Sequence, residues 1–186
     1  MKRREFLTTA LLTSTASIIG AGCELSKKST SVSREDKLAG FTLKELRREY
    51  QADLFDDFLP FMEKHIIDYQ YGGFMCYADR DGTLINTDKN SWFEGRGIWV
   101  YSFLYNNLKA DPKYLEVARK SVEFILQNKP SDDQLWPRFF TREGKPKSAP
   151  DKQVYGDLFI AEGLAEYARA TKDWSYWELA KELVLK

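Results

Sequence analysis

The chain has 186 residues, of which 43% are hydrophobic, and its 28 basic and 28 acidic side chains give a formal net charge of zero. That composition is typical of a globular protein, and the lack of a basic excess argues against nucleic-acid binding, which needs cations to neutralise phosphates. Two cysteines and one histidine are too few for a disulfide scaffold or a four-ligand zinc site, so no metal site is expected.

The first 23 residues have the pattern of an export signal. Basic residues at 2–4 precede an uncharged stretch at 6–22 and then Cys23. The arginine pair resembles a twin-arginine export motif, and Gly20–Cys23 resembles the cleavage box of bacterial lipoproteins, in which the cysteine is lipidated. Ordinary cleavage that leaves Cys23 as a free thiol is the alternative. We therefore expect an exported bacterial protein, either periplasmic or anchored to the membrane by a lipid on Cys23.

A tether and a long helix are predicted next. Residues 24–40 are rich in Ser, Lys and Thr and predict a flexible tether, with the folded body over 41–186. Thr42 and Glu45 form a capping box that starts a helix. Its apolar residues recur every three or four positions, namely Leu43, Leu46, Tyr50, Leu54, Phe58, Met62 and Ile66. Pro60 is expected to kink or split this helix, and Gly72-Gly73 to end it.

A hairpin and two further helices follow in the chain. Residues 74–85 predict a short β-hairpin. Ser91 and Glu94 form a second capping box, which opens a helix over about 92–108. Because this helix is apolar on nearly every face, we expect it to be buried on all sides. Asp111, followed by a proline, then opens an amphipathic helix.

This order of elements recurs 62 residues later in the chain. A strand is predicted at 135–141, a turn at 142–144 and an apolar helix at 152–171, after which Asp173 opens another amphipathic helix. The shift aligns Asp111 with Asp173, Tyr114 with Tyr176, Glu116 with Glu178, Ala118 with Ala180 and Val122 with Val184. Such a unit cannot cover its own apolar face and must stack on copies of itself. We therefore expect an all-α double ring of helices with short β-hairpins between them.

Four motifs give the chain a resemblance to a known family. They are Tyr71-Gly72-Gly73-Phe74, Asp79-Arg80-Asp81-Gly82, Trp92-x-x-Gly95-Arg96-x-x-Trp99 and the segment Phe159–Ala168. With these motifs the sequence resembles the N-acylglucosamine 2-epimerase family, which includes cellobiose 2-epimerases and aldose–ketose isomerases, over about 43–186. The resemblance implies an (α/α)6 barrel of six helical hairpins. This chain would supply its N-terminal part, as an incomplete barrel.

The resemblance also implies a reaction and the residues that perform it. Family members remove the proton next to the carbonyl of an open-chain mono- or disaccharide and return it on the opposite face, using two histidines from the later half of the barrel. Arg96 matches the family's barrel-floor arginine and would hold the carbonyl oxygen as negative charge develops. Trp92 would stack on the sugar, and Tyr155 matches a position that contacts substrate. This chemistry requires no metal, and no cofactor is expected.

Each of these assignments has a structural alternative. Arg96 would instead stabilise the core if it paired with an acid such as Glu94 or Asp157, because a charge in an apolar helix is costly unless paired or used. Trp92 would serve as plain core packing, since inner helices need bulk. Asp157 and Glu162 are expected to cap or pair rather than to react.

Three functions remain open from the sequence. The first is the epimerase or isomerase, here without its catalytic bases, because the only histidine, His65, lies on the polar side of the first helix and is expected at the surface. The second is a glycoside hydrolase or lyase on the same helical ring, with paired carboxylates drawn from Asp88, Asp157 and Glu162. The third is a sugar-binding protein without catalysis. Trp99 and Phe103 are expected in the core under each function.

Overall fold

The computed structural model describes residues 37–131 and 133–185. Cys23, the rest of the predicted export signal and most of the predicted tether lie outside these residues. The described helices are α1 (Leu43–Ala52), α2 (Leu59–Phe61), α3 (Ser91–Phe103), α4 (Pro112–Gln127), α5 (Tyr155–Thr171) and α6 (Ser175–Leu185), and the strands are β1 (Lys37–Leu38), β2 (Phe41–Thr42), β3 (Lys89–Asn90) and β4 (Phe139–Phe140). None of these helices is long and apolar enough to cross a lipid bilayer.

The chain divides into two compact units, the second of which starts at Glu45. In the described part of the first unit, β1 pairs antiparallel with β2. The connecting turn is made by Ala39 and Gly40, both at positive φ, of 52° and 88°. β1 and this turn occupy the last four residues of the segment 24–40 that was predicted to form a tether.

The first helical segment changes its winding before it ends at Ile66. α1 is followed by π-helical turns at Asp53–Phe58, by α2, and by π-helical turns at Met62–Ile66. Pro60 lies in the first turn of α2, inside a segment that is helical on both sides, so its missing N–H interrupts the backbone hydrogen-bond ladder at this point. The segment is thus split into α- and π-helical turns around Pro60.

The prediction that Gly72-Gly73 ends this helix is wrong by several residues. Ile67 already has extended backbone, with φ −72° and ψ 128°, and forms an isolated antiparallel bridge with Phe74. The Asp68 side chain accepts hydrogen bonds from the backbone N–H groups of Gln70 at 3.0 Å and Tyr71 at 3.2 Å. Such local bonds compete with helix continuation, so the chain turns before the glycines.

The structure carries the 62-residue repeat in its turns and caps. Asp79 N–H donates to the carbonyl of Thr83 at 2.9 Å, and Thr141 N–H donates in the same way to Lys145 at 2.8 Å. The glycine of each turn has positive φ, 86° at Gly82 and 99° at Gly144. The aspartates that open the two outer helices also match, since Asp111 accepts from Lys113 N–H at 3.1 Å and Asp173 accepts from Ser175 N–H at 3.0 Å.

The predicted hairpins are shorter than the sequence suggests. Within 74–85 the described backbone pairs only at the isolated bridge between Ala78 and Leu84. In the second repeat, β4 covers two residues of the strand predicted at 135–141 and pairs antiparallel with β3, which lies outside that hairpin. The pairing of β3 with β4 therefore joins the first repeat to the second.

The helices form an inner and an outer layer. α3 and α5 pack on each other, while α4 packs on α3 and α6 packs on α5. A methyl group at Gly156 would lie 2.8 Å from Ser91 Oγ, and one at Gly163, further along α5, would lie 2.9 Å from Ile98 Cβ, further along α3. Because these contacts advance in the same direction along both helices, α3 and α5 run parallel, with their backbones in close approach.

A buried ionic cluster joins the loop after the first helical segment to β3. The Lys89 side chain is fully buried, and its Nζ lies 3.1 Å from Asp68 Oδ2. The same Nζ donates to the carbonyl oxygens of Arg142, at 2.8 Å, and of Gly72. The Arg142 guanidinium donates to both carboxylate oxygens of Asp68. Burial by itself would raise the pKa of Asp68, but the hydrogen bonds from Arg142 and Lys89 outweigh it and lower the pKa to about 2.

Glu94 is a buried carboxyl group that connects three segments. Its Oε1 accepts from Phe74 N–H at 2.9 Å, and its Oε2 accepts from Ser121 Oγ in α4 at 2.7 Å. The predicted capping box of Ser91 and Glu94 is therefore wrong. α3 is capped instead by Asn90, whose side-chain oxygen accepts from Trp92 N–H at 2.9 Å.

Glu94 is expected to make the protein less stable as the pH rises from about 4.5 to about 7. Burial raises the pKa of Glu94 from 4.5 to about 7 in the folded protein. Across that window the folded state holds a proton that the unfolded state has released, so the free energy of unfolding falls as the pH rises, by roughly 3 kcal/mol for such a shift. Asp68, with its pKa at about 2, stays ionised throughout. Urea unfolding at a series of pH values between 4 and 8 measures this decline in the free energy of unfolding.

Glu94→Gln is the matched variant that tests whether Glu94 causes this pH dependence of stability. The amide occupies the same space and can still accept from Phe74 N–H, but it does not titrate. We expect its stability to be flat over the window in which the wild type declines. An equal decline in both proteins would assign the pH dependence to another group.

Gly72 and Gly73 hold backbone conformations that this packing requires. Their φ values are 80° and 79°. A methyl group at Gly73 would lie 2.4 Å from Glu94 Oε2, and one at Gly72 would lie 2.3 Å from the carbonyl oxygen of Lys120. The glycines at 72–73, which belong to one of the four motifs of the resemblance, therefore have a structural role here.

Gly73→Ala is expected to lower the free energy of unfolding by about 2–5 kcal/mol. A left-handed conformation costs a residue with a Cβ about 1–2 kcal/mol, and displacing the Glu94 carboxylate costs a further ~1–3 kcal/mol through its lost hydrogen bonds. Gly40→Ala is the control, since Gly40 has φ 88° but nothing within 4 Å of the added methyl group. If urea unfolding gave the same loss of stability for Gly73→Ala and Gly40→Ala, the contact with Glu94 would contribute nothing to the effect of Gly73→Ala.

Candidate functional site

One face of α3 is accessible, in contrast to the predicted burial on all sides. Arg96 is exposed, and Trp92 and Trp99 are half-buried. These residues lie three and four positions apart and so share one face of the helix. α4 and α5 cover other faces of α3, which leaves this face open in the described part of the chain. We call the surface formed by Trp92, Arg96, Arg138, Tyr155 and Phe159 the inner face.

The inner face is a cluster of aromatic rings, two of which each carry a guanidinium group on their face. The ring centroid of Trp92 lies 5.3 Å from that of Tyr155 and 6.2 Å from that of Phe159, both in edge-to-face geometry. The Arg96 guanidinium carbon lies 4.1 Å from the centre of the Phe159 ring, and that of Arg138 lies 4.1 Å from the centre of the Trp92 ring. The structure thus brings together Arg96, Trp92 and Tyr155, which the sequence singled out.

Arg96 does not pair with the acids proposed as its structural partners. The Glu94 carboxylate accepts hydrogen bonds from Phe74 N–H and Ser121 Oγ. Asp157 is buried, and its Oδ1 accepts from Trp136 N–H at 3.0 Å. Among residues 37–131 and 133–185, no carboxylate oxygen lies within 4.0 Å of the Arg96 guanidinium. The Arg96 cation is therefore accessible and supported by an aromatic ring rather than neutralised.

The inner face includes two residues that sequence reasoning missed. Phe159 lies on α5 beside Tyr155, one turn further on, and its helical spacing was the available signal. Arg138 precedes β4, and its carbonyl accepts from Ser91 N–H at 3.0 Å. The pairing of β3 with β4 thus places Arg138 beside the start of α3. That contact spans about 47 residues, so no local pattern could have revealed it.

The remaining residues that the sequence singled out are not part of the inner face. Asp88 forms an ion pair with Lys147 at 2.5 Å, and Glu162 is exposed on α5. The rings of Trp99 and Phe103 stack at 4.9 Å, but both residues are only half-buried, so the prediction that they lie in the core is only partly met. Across the described ranges, no group of three or more His, Cys, Asp or Glu side chains is placed to hold a metal ion.

His65 is less exposed than the sequence suggested. It is half-buried, its ring lies 4.9 Å from that of Phe61, and a methyl group at Gly82 would lie 2.3 Å from its ring. His65 therefore packs against the turn at 79–82. None of the inner-face contacts involves it.

The parallel inner helices and their outer partners define the class of fold as an (α/α)6 barrel, of which this chain forms part. An aromatic inner face with an accessible cation suits the binding of a polar, ring-shaped ligand. The chain belongs to the N-acylglucosamine 2-epimerase (GlcNAc 2-epimerase) family, whose model matches residues 72–185. The family is one of carbohydrate epimerases.

Individual relatives agree with the family assignment. The N-acylglucosamine 2-epimerase of Bos taurus is 28% identical over 133 residues, which are 69% of this chain and 31% of that protein. The cellobiose 2-epimerase of Dictyoglomus turgidum is 28% identical over 148 residues, 76% of this chain and 36% of that protein. The solved cellobiose 2-epimerase of Bacillus thermoamylovorans B4167 superposes with a TM-score of 0.68 and 25% identity, over 77% of this chain and 37% of its own. The chain thus spans about a third of the length of these relatives.

Proposed function

We propose that this chain is the N-terminal part of a carbohydrate 2-epimerase or aldose–ketose isomerase and that its inner face binds the sugar. The observation that carries the proposal is the accessible Arg96 guanidinium, which lies on an aromatic surface without a carboxylate partner in the described chain. Removing a proton next to a carbonyl places negative charge on the carbonyl oxygen. A fixed cation at that oxygen stabilises this charge most where water is excluded.

The aromatic residues of the inner face supply the binding surface in this proposal. Trp92 and Tyr155 meet edge to face, and Tyr155 is 52% exposed, so that its ring and hydroxyl group are available to a ligand. The apolar face of a sugar ring packs on aromatic rings, while hydroxyl groups need polar partners such as the Arg96 guanidinium. Trp92 and Tyr155 together would orient the sugar over Arg96.

The proton-transferring bases are proposed to come from outside this chain. His65 is its only histidine, and it packs against Gly82 and Phe61. Two bases on opposite sides of one carbon are needed to invert it. The chain spans about a third of its relatives, which supports a longer protein as their source. We therefore propose that residues 1–186 by themselves bind sugar but do not turn it over.

Sequencing and assay of the complete open reading frame test this function. We expect further helical hairpins that carry two histidines on inner helices, together with interconversion of sugars that differ at C2. A complete frame without either histidine would contradict the epimerase. Facing carboxylates with release of monosaccharides would instead identify a glycoside hydrolase.

We further propose that the protein is exported and that Cys23 carries a lipid anchor. The arrangement of basic residues, an uncharged stretch and Gly20–Cys23 supports this proposal. Mass spectrometry of the protein from its native host is expected to show an N-terminal, lipid-modified Cys23, and Cys23→Ser is expected to release it from the membrane fraction. An unmodified Cys23 in the mature protein would contradict the proposed lipid anchor.

A further inference from the structure

The inner face presents a second cation, Arg138, which the proposed reaction does not use. Its guanidinium carbon lies 4.1 Å from the Trp92 ring centre and 5.5 Å from that of Phe139. Its Nε is buried, and no hydrogen-bond acceptor for it lies in the described residues. Among those residues, no carboxylate oxygen lies within 4.0 Å of the guanidinium either.

Three other arginines of the body do have such partners. Arg119 pairs with Glu116, Arg142 with Asp68 and Arg169 with Glu166. Stacking uses only the face of the guanidinium, so the two terminal Nη groups stay available to a ligand, although Nε is buried. Arg138 is therefore held in place by the Trp92 ring rather than by an ion pair with a carboxylate of the described chain.

Further unpaired donors surround the start of α3. Ser91 Oγ and Trp92 Nε1 are buried without a hydrogen-bond partner in the described chain. A methyl group at Gly156 would lie 2.8 Å from Ser91 Oγ, so the parallel helices α3 and α5 begin side by side here. Their N-terminal ends add partial positive charge. Asp157, the acid at this end of α5, is buried and accepts from Trp136 N–H.

We propose that Arg138 makes this site select sugars that carry a carboxylate, such as a hexuronic acid. The inference rests on the proposed sugar-binding function of the inner face. A carboxylate offers two oxygens in the plane that matches the guanidinium fork. Arg96 would then hold the carbonyl oxygen while Arg138 holds the carboxylate group of the same ligand.

Binding of a matched pair of sugars tests the inference. With the complete protein, calorimetric titration with D-glucuronate and D-glucose at low salt is expected to give at least ~10-fold tighter binding of glucuronate, as one charge-assisted hydrogen-bonded pair provides. Arg138→Gln is expected to bring the ratio of glucuronate to glucose affinity close to one. Arg138→Lys, which keeps the charge without the fork, should retain part of the preference. Arg80→Gln, at an exposed arginine of the 79–82 turn, is the control and should retain all of it.

The outcomes separate this inference from the proposed function. Equal binding of glucuronate and glucose, or an unchanged preference in a folded Arg138→Gln variant, would overturn the role of Arg138 and leave sugar binding intact. Near-ultraviolet circular dichroism of the tryptophans reports folding, and Arg138→Lys provides the second variant if the glutamine fails to fold. Binding of neither sugar would overturn both proposals.

Discussion

Lys89→Met is expected to lower the free energy of unfolding by about 3–5 kcal/mol. The side chains of Lys89 and Asp68 are fully buried and lie 3.1 Å apart, and loss of the lysine leaves the buried Asp68 carboxylate with only the partly exposed Arg142 as a cationic partner among the described residues. The loss extends beyond the pair, since the carbonyl oxygens of Gly72 and Arg142 also lose their donor. Urea unfolding followed by tryptophan fluorescence measures it.

Lys113→Met is the matched control for Lys89→Met. Lys113 forms an ion pair with Glu63 at 2.7 Å, but its side chain is half-exposed, so we expect a loss below about 1 kcal/mol. Asp68→Asn combined with Lys89→Met should lose less stability than the sum of the two single variants, because each single change already breaks the same Lys89–Asp68 ion pair. A loss in Lys89→Met as small as that in Lys113→Met would contradict a role for this cluster in stability.

Arg96→Gln is expected to reduce turnover by the complete enzyme about 10²–10³-fold with little change in stability. Removal of one fixed donor from a developing oxyanion has an effect of this size. Arg96 is exposed and has no ion pair in the described chain, so its replacement should change the free energy of unfolding by less than about 0.5 kcal/mol. Steady-state rates together with urea unfolding separate these effects.

Two further variants calibrate the Arg96 result. Arg96→Lys keeps a cation without the planar fork and should recover part of the lost turnover. Arg80→Gln removes an exposed arginine from the turn at 79–82 and should leave turnover unchanged. Wild-type turnover in Arg96→Gln would remove Arg96 from the reaction and leave it a structural role on the Phe159 ring.

The features that could be predicted from the sequence are local ones. Asp111 and Asp173 open helices through bonds to residues two positions ahead, and glycines in matched turns take positive φ. Both follow from chemistry within a few residues, which the 62-residue shift then repeats. Arg96 and Trp92 share one helix, so their common face follows from helical spacing.

The features that sequence reasoning missed depend on contacts between distant segments. Glu94 has the spacing of a capping box with Ser91, yet its carboxylate accepts from Phe74 N–H, twenty residues away. Arg138 reaches the Trp92 ring only because β3 pairs with β4. α3 was expected to be buried throughout, because its composition alone does not distinguish packing against helices from an open, ligand-facing surface.

Solvent deuterium at C2 of the sugar is the most direct test of the proposed epimerase. The complete enzyme would be incubated with cellobiose, N-acetylglucosamine or mannose in heavy water, and the sugars would be followed by nuclear magnetic resonance. Abstraction of the C2 proton by a base that exchanges with solvent predicts deuterium at C2 together with a second sugar that differs at C2 or in the position of its carbonyl. Cleavage of cellobiose without deuterium at C2 of the remaining disaccharide would contradict the account and identify a hydrolase.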